Sequence, residues 1–141
     1  YISKPNSNPC KEFIEELLRV IGKRGSIVVY NKTFENTRLN ELKDEFPEYK
    51  ADIEQIQERM VDLMVPFRKK YYYHPDMQGS YSIKYVLPAM LPEYSYDHLE
   101  IGNGGDASAA YYNLGSVSNE EEIERVMKNL FEYCKLDTWL W

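Results

Sequence analysis

Two short apolar runs, the first of them rich in β-branched residues, constrain the fold of this chain most strongly. Ser26–Tyr30 and Met60–Val65 show no regular alternation of polar and apolar residues, which is typical of strands buried on both faces of a sheet. One helical segment precedes the first run, and two more separate it from the second. The order helix, strand, helix pair, strand predicts a layered α/β architecture with a parallel pair of strands.

The helices around these strands are predicted from apolar residues at helical spacing. Cys10–Ile21 carries them at i, i+3, i+4 and i+7, with Asn8 as its N-cap. A second helix is predicted to begin near Phe34 with Thr33 as its cap. A third covers Tyr49–Arg59, so both connect the two strands in the way a parallel pair requires.

The middle of the chain has a mixed pattern. Pro66–Tyr73 is predicted as a short helix, His74–Gly79 as a loop and Ser82–Met90 as a helix. Asp106 is expected to cap a further short helix that runs through Asn113. No internal repeat or low-complexity linker interrupts the chain, and residues 1–141 are therefore predicted to form a single domain.

The last helix has the clearest pattern. Ser118 and Glu121 have the spacing of a capping box. At 100° per residue, Asp137 falls about 50° from the centre of the predicted apolar stripe, and Tyr133 lies one turn earlier on the same flank. This position places a carboxylate at the edge of the core. The predicted stripe consists of Ile123, Val126, Met127, Leu130, Phe131 and Cys134.

Composition excludes some classes of protein. A formal net charge of −6 argues against a protein that coats nucleic acid indiscriminately, whereas a nuclease remains compatible because its metal site is itself a cluster of carboxylates. No apolar stretch has the length of a membrane span, and the first residues have no signal-peptide pattern. Cys10 and Cys134 fall on apolar helical positions, which fits a reduced protein in the cytoplasm.

Two carboxylates stand out by position. Glu35 follows the C-terminal end of the strand Ser26–Tyr30, where open α/β sheets tend to place their sites, and Asp137 faces the core edge. Glu35 could instead be a favourable charge at a helix N-terminus, and Asp137 a locally paired helix residue. For Asp62, a structural acceptor at the end of its strand is favoured over a role in a site.

The sequence around these carboxylates resembles the DEDD-type 3′–5′ exonucleases. Val28–Glu35 is similar to their second motif, in which a strand runs into His-Asn-x-x-Phe-Asp, and Tyr133–Asp137 is similar to their third motif, Tyr-x-x-x-Asp. The chain also resembles a bacterial family of unknown function, in which a ribonuclease H-like domain follows a restriction-like nuclease module. The segments that carry this second resemblance are Tyr30–Glu35, Tyr72–Lys84 and Tyr133–Thr138.

The resemblance implies a ribonuclease H-like fold and a metal-dependent exonuclease that acts on nucleic-acid phosphodiesters. Two Mg²⁺ or Mn²⁺ ions, about 3.5–4 Å apart, would stabilise the attacking and leaving oxygens. Asp137 is expected to bind the metal that holds the nucleophilic water, and Tyr133 to orient that water. Glu35 is expected as a metal ligand and catalytic residue, although the superfamily has Asp at this position.

A basic and aromatic stretch, Arg68–His74, joins positive charge to stacking surfaces, as proteins that bind single strands do. The alternative is a solvated helix edge whose tyrosines pack on the core, and the sequence leaves both open. The two histidines lack zinc-ligand spacing. The residues expected to contact substrate are Asn31, Phe34, Tyr73, His74, Ser82 and Lys84.

One departure from the resemblance concerns the first motif, Asp-x-Glu on a leading strand. Asp52-Ile53-Glu54 has this pattern, but on a helix residues i and i+2 diverge by about 200°, and the tripeptide is rejected. The expectation is an N-terminally truncated domain that retains helices and two short strands and lacks the first three. Such a piece would bind metal weakly, have negligible nuclease activity and self-associate through an exposed sheet edge.

The expected partners are DNA or RNA, in single-stranded form, and a neighbouring restriction-like nuclease module. A non-catalytic nucleic-acid-binding or protein-interaction module with the same fold is the alternative function. A structural domain that docks the neighbouring module is a third.

Overall fold

The computed structural model describes residues 2–3, 8–94 and 99–138, with side chains described up to residue 135. Contacts divide this part of the chain into two compact units, the first formed by residues 8–86 and the second by 2–3, 87–94 and 99–138. The single domain expected from the sequence stays a prediction. In chain order the elements are α1 (Cys10–Ile21), β1 (Ile27–Val29), α2 (Lys32–Glu45), a 3₁₀ helix (Pro47–Tyr49), α3 (Lys50–Arg59), β2 (Met60–Asp62), α4 (Val65–Arg68), a 3₁₀ helix (Pro75–Met77), α5 (Ile83–Met90), α6 (Gly104–Leu114) and α7 (Glu120–Thr138).

The first unit contains the predicted parallel pair of strands, in the register Ile27↔Met60, Val28↔Val61 and Val29↔Asp62. The α/β prediction is therefore confirmed for this small sheet. Both strands are shorter than predicted, because β2 ends at Asp62 and the chain then turns into α4.

Helices cover one face of this sheet. Ile27, Val29 and Met60 pack with the buried cluster of the first unit, whereas Val28 and Val61 are 40% and 47% exposed. Successive side chains of a strand point to opposite faces, so the two exposed valines share the other face. The prediction of burial on both faces is wrong for the described residues. The buried members of the cluster are Ile14, Leu39, Ile53, Ile56 and Met60.

The apolar spacing of α1 and α3 explains how these helices reach the core. Ile14 is 1% exposed in α1, and Ile53 and Ile56 are buried one turn apart in α3. The N-cap of α1 is Pro9 rather than the predicted Asn8, although Asn8 Oδ1 does accept a hydrogen bond from Cys10 N at 3.1 Å. Residues three and four apart on a helix share a face, which is why this pattern could be predicted locally.

The predicted caps of three later helices are also displaced, each by one to three residues. The α2 helix begins at Lys32 rather than near Phe34, because its N-cap is Asn31 and not Thr33. For α6, Asn103 Oδ1 accepts from Asp106 N at 2.9 Å, so Asp106 is the capped residue rather than the cap.

The third of these displaced caps is that of α7. Asn119 Oδ1 accepts from Glu121 N at 3.0 Å, so Asn119 performs the role predicted for Ser118. At all three helices an asparagine precedes the first turn, and a short amide side chain, or a left-handed backbone at Asn31, competes well with Ser, Thr or Asp.

The middle segment is also more compact than predicted. The helix expected over Pro66–Tyr73 is one turn, α4, and it ends because Lys70 takes a left-handed conformation with φ 57°. A 3₁₀ helix occupies part of the predicted loop His74–Gly79. No helix among residues 2–3, 8–94 and 99–138 is long and apolar enough to cross a membrane.

The second unit is built on α6 and α7. Ile101, Leu114 and Leu130 are its buried cluster, and Tyr133 packs against it. Phe131 is 57% exposed and Cys134 is exposed, so their predicted place in the buried stripe is wrong. The stripe is rotated by about 35° towards Tyr133, because that side of α7 contacts α6. The half-buried residues packed on this cluster from the two helices are Ala107, Ala110, Tyr111, Ile123, Val126, Met127 and Tyr133.

Candidate functional site

The C-terminal edge of the sheet gathers several polar groups of the first unit. Because β1 and β2 are parallel, Asn31 and Asp62 reach the same edge. Asp62 Oδ1 accepts hydrogen bonds from Asn31 N at 3.1 Å and from Met64 N at 3.0 Å. Asp62 is thus the structural acceptor predicted at the end of its strand, and it ties the start of α2 to the end of β2.

Glu35 lies in the first turn of α2, just beyond this edge. Its side chain is half-buried, and burial raises the pKa of its carboxyl group. The carboxylate makes no hydrogen bond or ion pair with the residues that the structure describes. A helix N-terminus by itself would favour the charged form. Burial acts in the opposite direction, so the role of Glu35, as a site residue or as a favourable charge at the helix N-terminus, stays a prediction.

Asn31 and Phe34, the residues near Glu35 that were expected to contact substrate, differ from each other in exposure. Asn31 is half-buried in a left-handed conformation with φ 74°, and its backbone carbonyl accepts from Phe34 N at 2.9 Å. Phe34 is 57% exposed, and the Arg38 guanidinium lies 5.6 Å from its ring centroid. Asn31 therefore shapes the turn, whereas Phe34 offers an aromatic face at the surface.

Tyr30 connects this edge to the basic and aromatic stretch. Its hydroxyl donates to the carbonyl oxygen of Tyr81 at 2.7 Å. Its ring lies 6.4 Å from that of Phe67, and Phe67 in turn meets Tyr72 edge-on at 6.0 Å. Burial, and then the nearby negative charge of Asp62, raise the pKa of Tyr30 to about 12. Tyr30 is a neutral hydrogen-bond donor at physiological pH.

The other predicted substrate contacts also lie in the first unit. Tyr73 is 56% exposed. His74 caps the following 3₁₀ helix, since its Nδ1 accepts from Asp76 N at 3.3 Å. Ser82 precedes α5 and accepts at its carbonyl from two amide groups of that helix, and Lys84 is half-buried in the first turn. His74 and Ser82 thus have local structural roles, whereas the Tyr73 ring is largely exposed to solvent.

Tyr133 and Asp137 belong to the second unit. The Tyr133 hydroxyl lies beside Gly104 at the start of α6, 3.7 Å from where a Cβ atom on that glycine would be. Tyr133 therefore packs against the buried cluster from the edge of the α7 stripe, in agreement with its predicted place on the flank. Position 137 is in the last turn of α7, and its side chain lies outside the described side chains.

In the first unit, Glu35 is the residue predicted as a metal ligand. The Glu35 carboxylate has no partner among the described residues, and such oxygen atoms suit Mg²⁺ or Mn²⁺. Asp62 already accepts two backbone hydrogen bonds through one oxygen. Over the described ranges, no group of three or more His, Cys, Asp or Glu side chains could hold a metal ion. One carboxylate fits one ligand, which is fewer than a two-metal centre requires.

Comparison with known proteins identifies a family of unknown function. The model of the family described as "Domain of unknown function (DUF2779)" matches residues 1–82, more than half of the chain. The "Uncharacterized protein UU173" of Ureaplasma parvum serovar 3 is 35% identical over 95 residues, which cover 56% of this chain and 14% of that protein. The chain thus spans about one seventh of the length of this relative. No solved structure shows significant similarity to the chain.

Proposed function

We propose that this chain, which belongs to the family of domains of unknown function DUF2779, is part of a ribonuclease H-like, metal-dependent 3′–5′ exonuclease domain that hydrolyses nucleic-acid phosphodiesters. The observation that carries the proposal is the half-buried Glu35 carboxylate, which has a raised pKa and no described partner at the C-terminal edge of a parallel sheet. The resemblance of Tyr30–Glu35 and Tyr133–Asp137 to the exonuclease motifs supports it.

In this proposal each residue has a stated task. Bound Mg²⁺ or Mn²⁺ would neutralise charge on the phosphate and lower the pKa of a bound water. Glu35 and Asp137 would be ligands, and Tyr133 would orient the attacking water. Attack at phosphorus breaks the bond to the 3′ oxygen, which leaves with a proton, so a nucleoside 5′-monophosphate and a new 3′ hydroxyl are formed. Phe34 would contact the terminal nucleotide through its exposed ring.

The raised pKa of Glu35 gives the proposal a pH signature. A carboxyl group must be deprotonated to bind a cation, and burial makes Glu35 take up its proton at a higher pH than an ordinary glutamate does. Cation binding through Glu35 should therefore weaken as the pH falls through that raised pKa.

A second candidate is a non-catalytic nucleic-acid-binding module. It is favoured by the exposed tyrosines that follow α4, which are 44–75% accessible beside three cationic residues. Such a surface can bind without cutting. The two candidates share a ligand class and differ in whether the carboxylates are needed.

A cleavage assay on the full-length protein that contains this chain separates them. With Mg²⁺ or Mn²⁺ and a 5′-labelled single strand, Asp137→Asn and Glu35→Gln should each slow cleavage at least about 100-fold, since each removes a ligand charge. Glu41→Gln is the matched control, because Glu41 lies on the same helix, is 56% exposed and pairs with Arg38. Unchanged cleavage in both site variants would reject the proposal. Binding without cleavage in the wild type would favour the second candidate.

A further inference from the structure

The segment Arg68–Tyr73, called here the 68–73 surface, lies at the surface of the first unit. Tyr71 is 75% exposed, Tyr72 44% and Tyr73 56%, and the three cationic residues before them are exposed as well. These values count against the alternative in which the tyrosines pack on the core, because such side chains would be mostly buried. Tyr71 and Tyr73 thus present ring surface to solvent, whereas Tyr72 also packs against Phe67.

The backbone of the 68–73 surface is held in place. Tyr71 N donates to the Pro66 carbonyl at 2.8 Å, and Lys70 N donates to the Phe67 carbonyl at 3.0 Å. Lys70 has φ 57°, a conformation that L residues other than Asn and Asp seldom adopt. Strained residues of this kind persist where the surroundings determine them, and they cluster at binding sites. The tyrosines therefore project from a fixed turn, which lowers the entropy lost on binding.

Aromatic contacts connect this turn to the sheet edge. Tyr72 packs edge-on against Phe67, Phe67 packs against Tyr30, and the Tyr30 hydroxyl binds the Tyr81 carbonyl. Tyr30 directly follows β1, and Tyr81 is itself 47% exposed. The 68–73 surface is thus continuous, within the first unit, with the edge where Asn31 and Asp62 meet.

Local charge indicates the kind of ligand. Residues 63–75 contain Arg68, Lys69 and Lys70 and no carboxylate, in a chain with a formal net charge of −6. The Lys69 ammonium lies 5.8 Å from the Tyr71 ring centroid, so positive charge stands beside an exposed aromatic face. A polyanion with flat apolar groups complements this combination, and single-stranded nucleic acid has both features.

We propose that the 68–73 surface binds unpaired bases of a single-stranded nucleic acid, with Tyr71 and Tyr73 stacking on bases and the adjacent cations neutralising phosphates. Base faces are hidden inside a duplex, and three cations without stacking give only a weak, salt-sensitive term. The inference rests on the proposed function for the ligand class. It adds the part of the substrate that is recognised and the residues that recognise it.

Binding can be measured apart from cleavage. Fluorescence anisotropy of a labelled ten-nucleotide oligo-dT is recorded in EDTA, so that no metal-dependent cleavage occurs. Tyr71→Ala and Tyr73→Ala should each weaken binding at least about fivefold, and Tyr71→Trp should restore it. Tyr112→Ala is the matched control, because Tyr112 is 84% exposed in the second unit. Tyr72 is not used, since it packs against Phe67.

Charge and competitor experiments complete the test. Lys70→Gln should reduce the slope of log K against log salt by about 0.7, the value for one phosphate on a single strand. A duplex of the same length and a poly-glutamate peptide should each bind at least about tenfold more weakly than oligo-dT. Equal binding of duplex, equal binding of the peptide or normal binding by both tyrosine variants would overturn the inference.

The outcomes also separate this inference from the proposed function. If the tyrosine variants lose binding and the wild-type protein cuts nothing, the 68–73 surface stands and the exonuclease proposal fails. If the protein cuts in a manner that depends on Asp137 while the tyrosine variants bind normally, the exonuclease proposal stands and this inference fails. Circular dichroism of each variant, with a melting temperature close to that of the wild type, shows that loss of binding is not loss of fold.

Discussion

Arg59 holds the loop before β1 against the end of α3, and replacing it with lysine should destabilise the first unit. Its Nε donates to the Gly25 carbonyl at 2.7 Å, Nη1 to the Gly22 carbonyl at 2.7 Å and Nη2 to the Arg24 carbonyl at 2.9 Å. Every guanidinium nitrogen thus has a backbone acceptor. Lysine keeps the charge and the aliphatic stem but has one nitrogen where arginine has three.

The hydrogen bonds of Arg59 also affect how the two strands of the sheet are aligned. Arg59 precedes Met60, the first residue of β2, and the three carbonyl groups precede Ile27, the first residue of β1. The hydrogen bonds therefore bring the starts of both strands level, in agreement with the register Ile27↔Met60. Two strands of three residues cannot form a stable sheet alone, so tertiary contacts of this kind must fix their register.

The magnitude follows from the bonds lost. Hydrogen bonds to a charged group contribute about 1.5–3 kcal/mol each when buried, and Arg59 is half-buried, which places each bond nearer 1 kcal/mol. Arg59→Lys can keep one of the three, so the loss is about 2 kcal/mol. Arg59→Ala loses all three and part of the packing of the stem, so its loss is about 3 kcal/mol or more.

Urea unfolding followed by far-UV circular dichroism provides the measurement. With an m value of about 2 kcal/mol/M, Arg59→Lys should lower the midpoint by roughly 1 M without changing m. Arg19→Lys is the control, since Arg19 also makes two hydrogen bonds, to Glu16, but is 70% exposed, and should change stability by less than about 0.5 kcal/mol. Equal effects of the two substitutions would refute the reasoning, because the hydrogen bonds from Arg59 to three backbone carbonyls would then add no more to the free energy of unfolding than an exposed ion pair does.

Four further predictions concern pH, strain and cooperativity. Because the folded-state pKa of Tyr30 is about 12, above the ordinary value of 10.0, stability should fall as pH rises from about 10 to about 12. Tyr30→Phe should remove the contribution of Tyr30 to that fall and cost about 1 kcal/mol at neutral pH, as urea midpoints across this range would reveal. Glu35→Gln should raise the free energy of unfolding at pH 7, because a raised folded-state pKa means that burial penalises the charged carboxylate. Below the ordinary pKa of glutamate the carboxyl group is protonated in both states, so the substitution should have no such effect there. A loss of stability at pH 7 would contradict this prediction. Lys70→Gly should stabilise by about 1 kcal/mol at φ 57°, whereas Lys70→Ala should not, and equal urea midpoints would remove the strain argument. A single domain should unfold in one transition with coincident near-UV and far-UV signals, and two separated transitions would show that the two units fold independently.

The order of elements in the first unit could be predicted because its signals are local. The spacing of Ile53 and Ile56 predicts a helix face, and the run Ile27–Val29 predicts a strand, without knowledge of any distant residue. The ends of elements were predicted less well. Asp62 fixes the start of α2 by accepting from Asn31 N, 31 residues away, and ends β2 by accepting from Met64 N. A contact of that range leaves no pattern around either residue.

For the candidate site, too, the positions of residues along the chain could be predicted from the sequence, whereas their solvent exposure could not. The position of Glu35 after β1 follows from the sequence, but its loss of solvent depends on neighbours that only the fold brings together. The exposure of Tyr71 and Tyr73 was equally hidden, because a left-handed Lys70 turns the chain away from the core. Lysine has no intrinsic preference for that conformation, so no propensity argument could have predicted it.

In the second unit, the contact between α6 and α7 determines which side chains of α7 are buried. The apolar arc of α7 is wide enough to include either Phe131 or Tyr133, and contact with α6 selects Tyr133. This selection rotates the centre of the buried arc by about 35° over the described side chains, which end at residue 135. The spacing of four residues between Tyr133 and Asp137 is unaffected by this rotation, since both positions turn together. A motif of the form Tyr-x-x-x-Asp is therefore a property of one helix that sequence alone can identify, whereas any second carboxylate that completes a site must be placed by the tertiary fold.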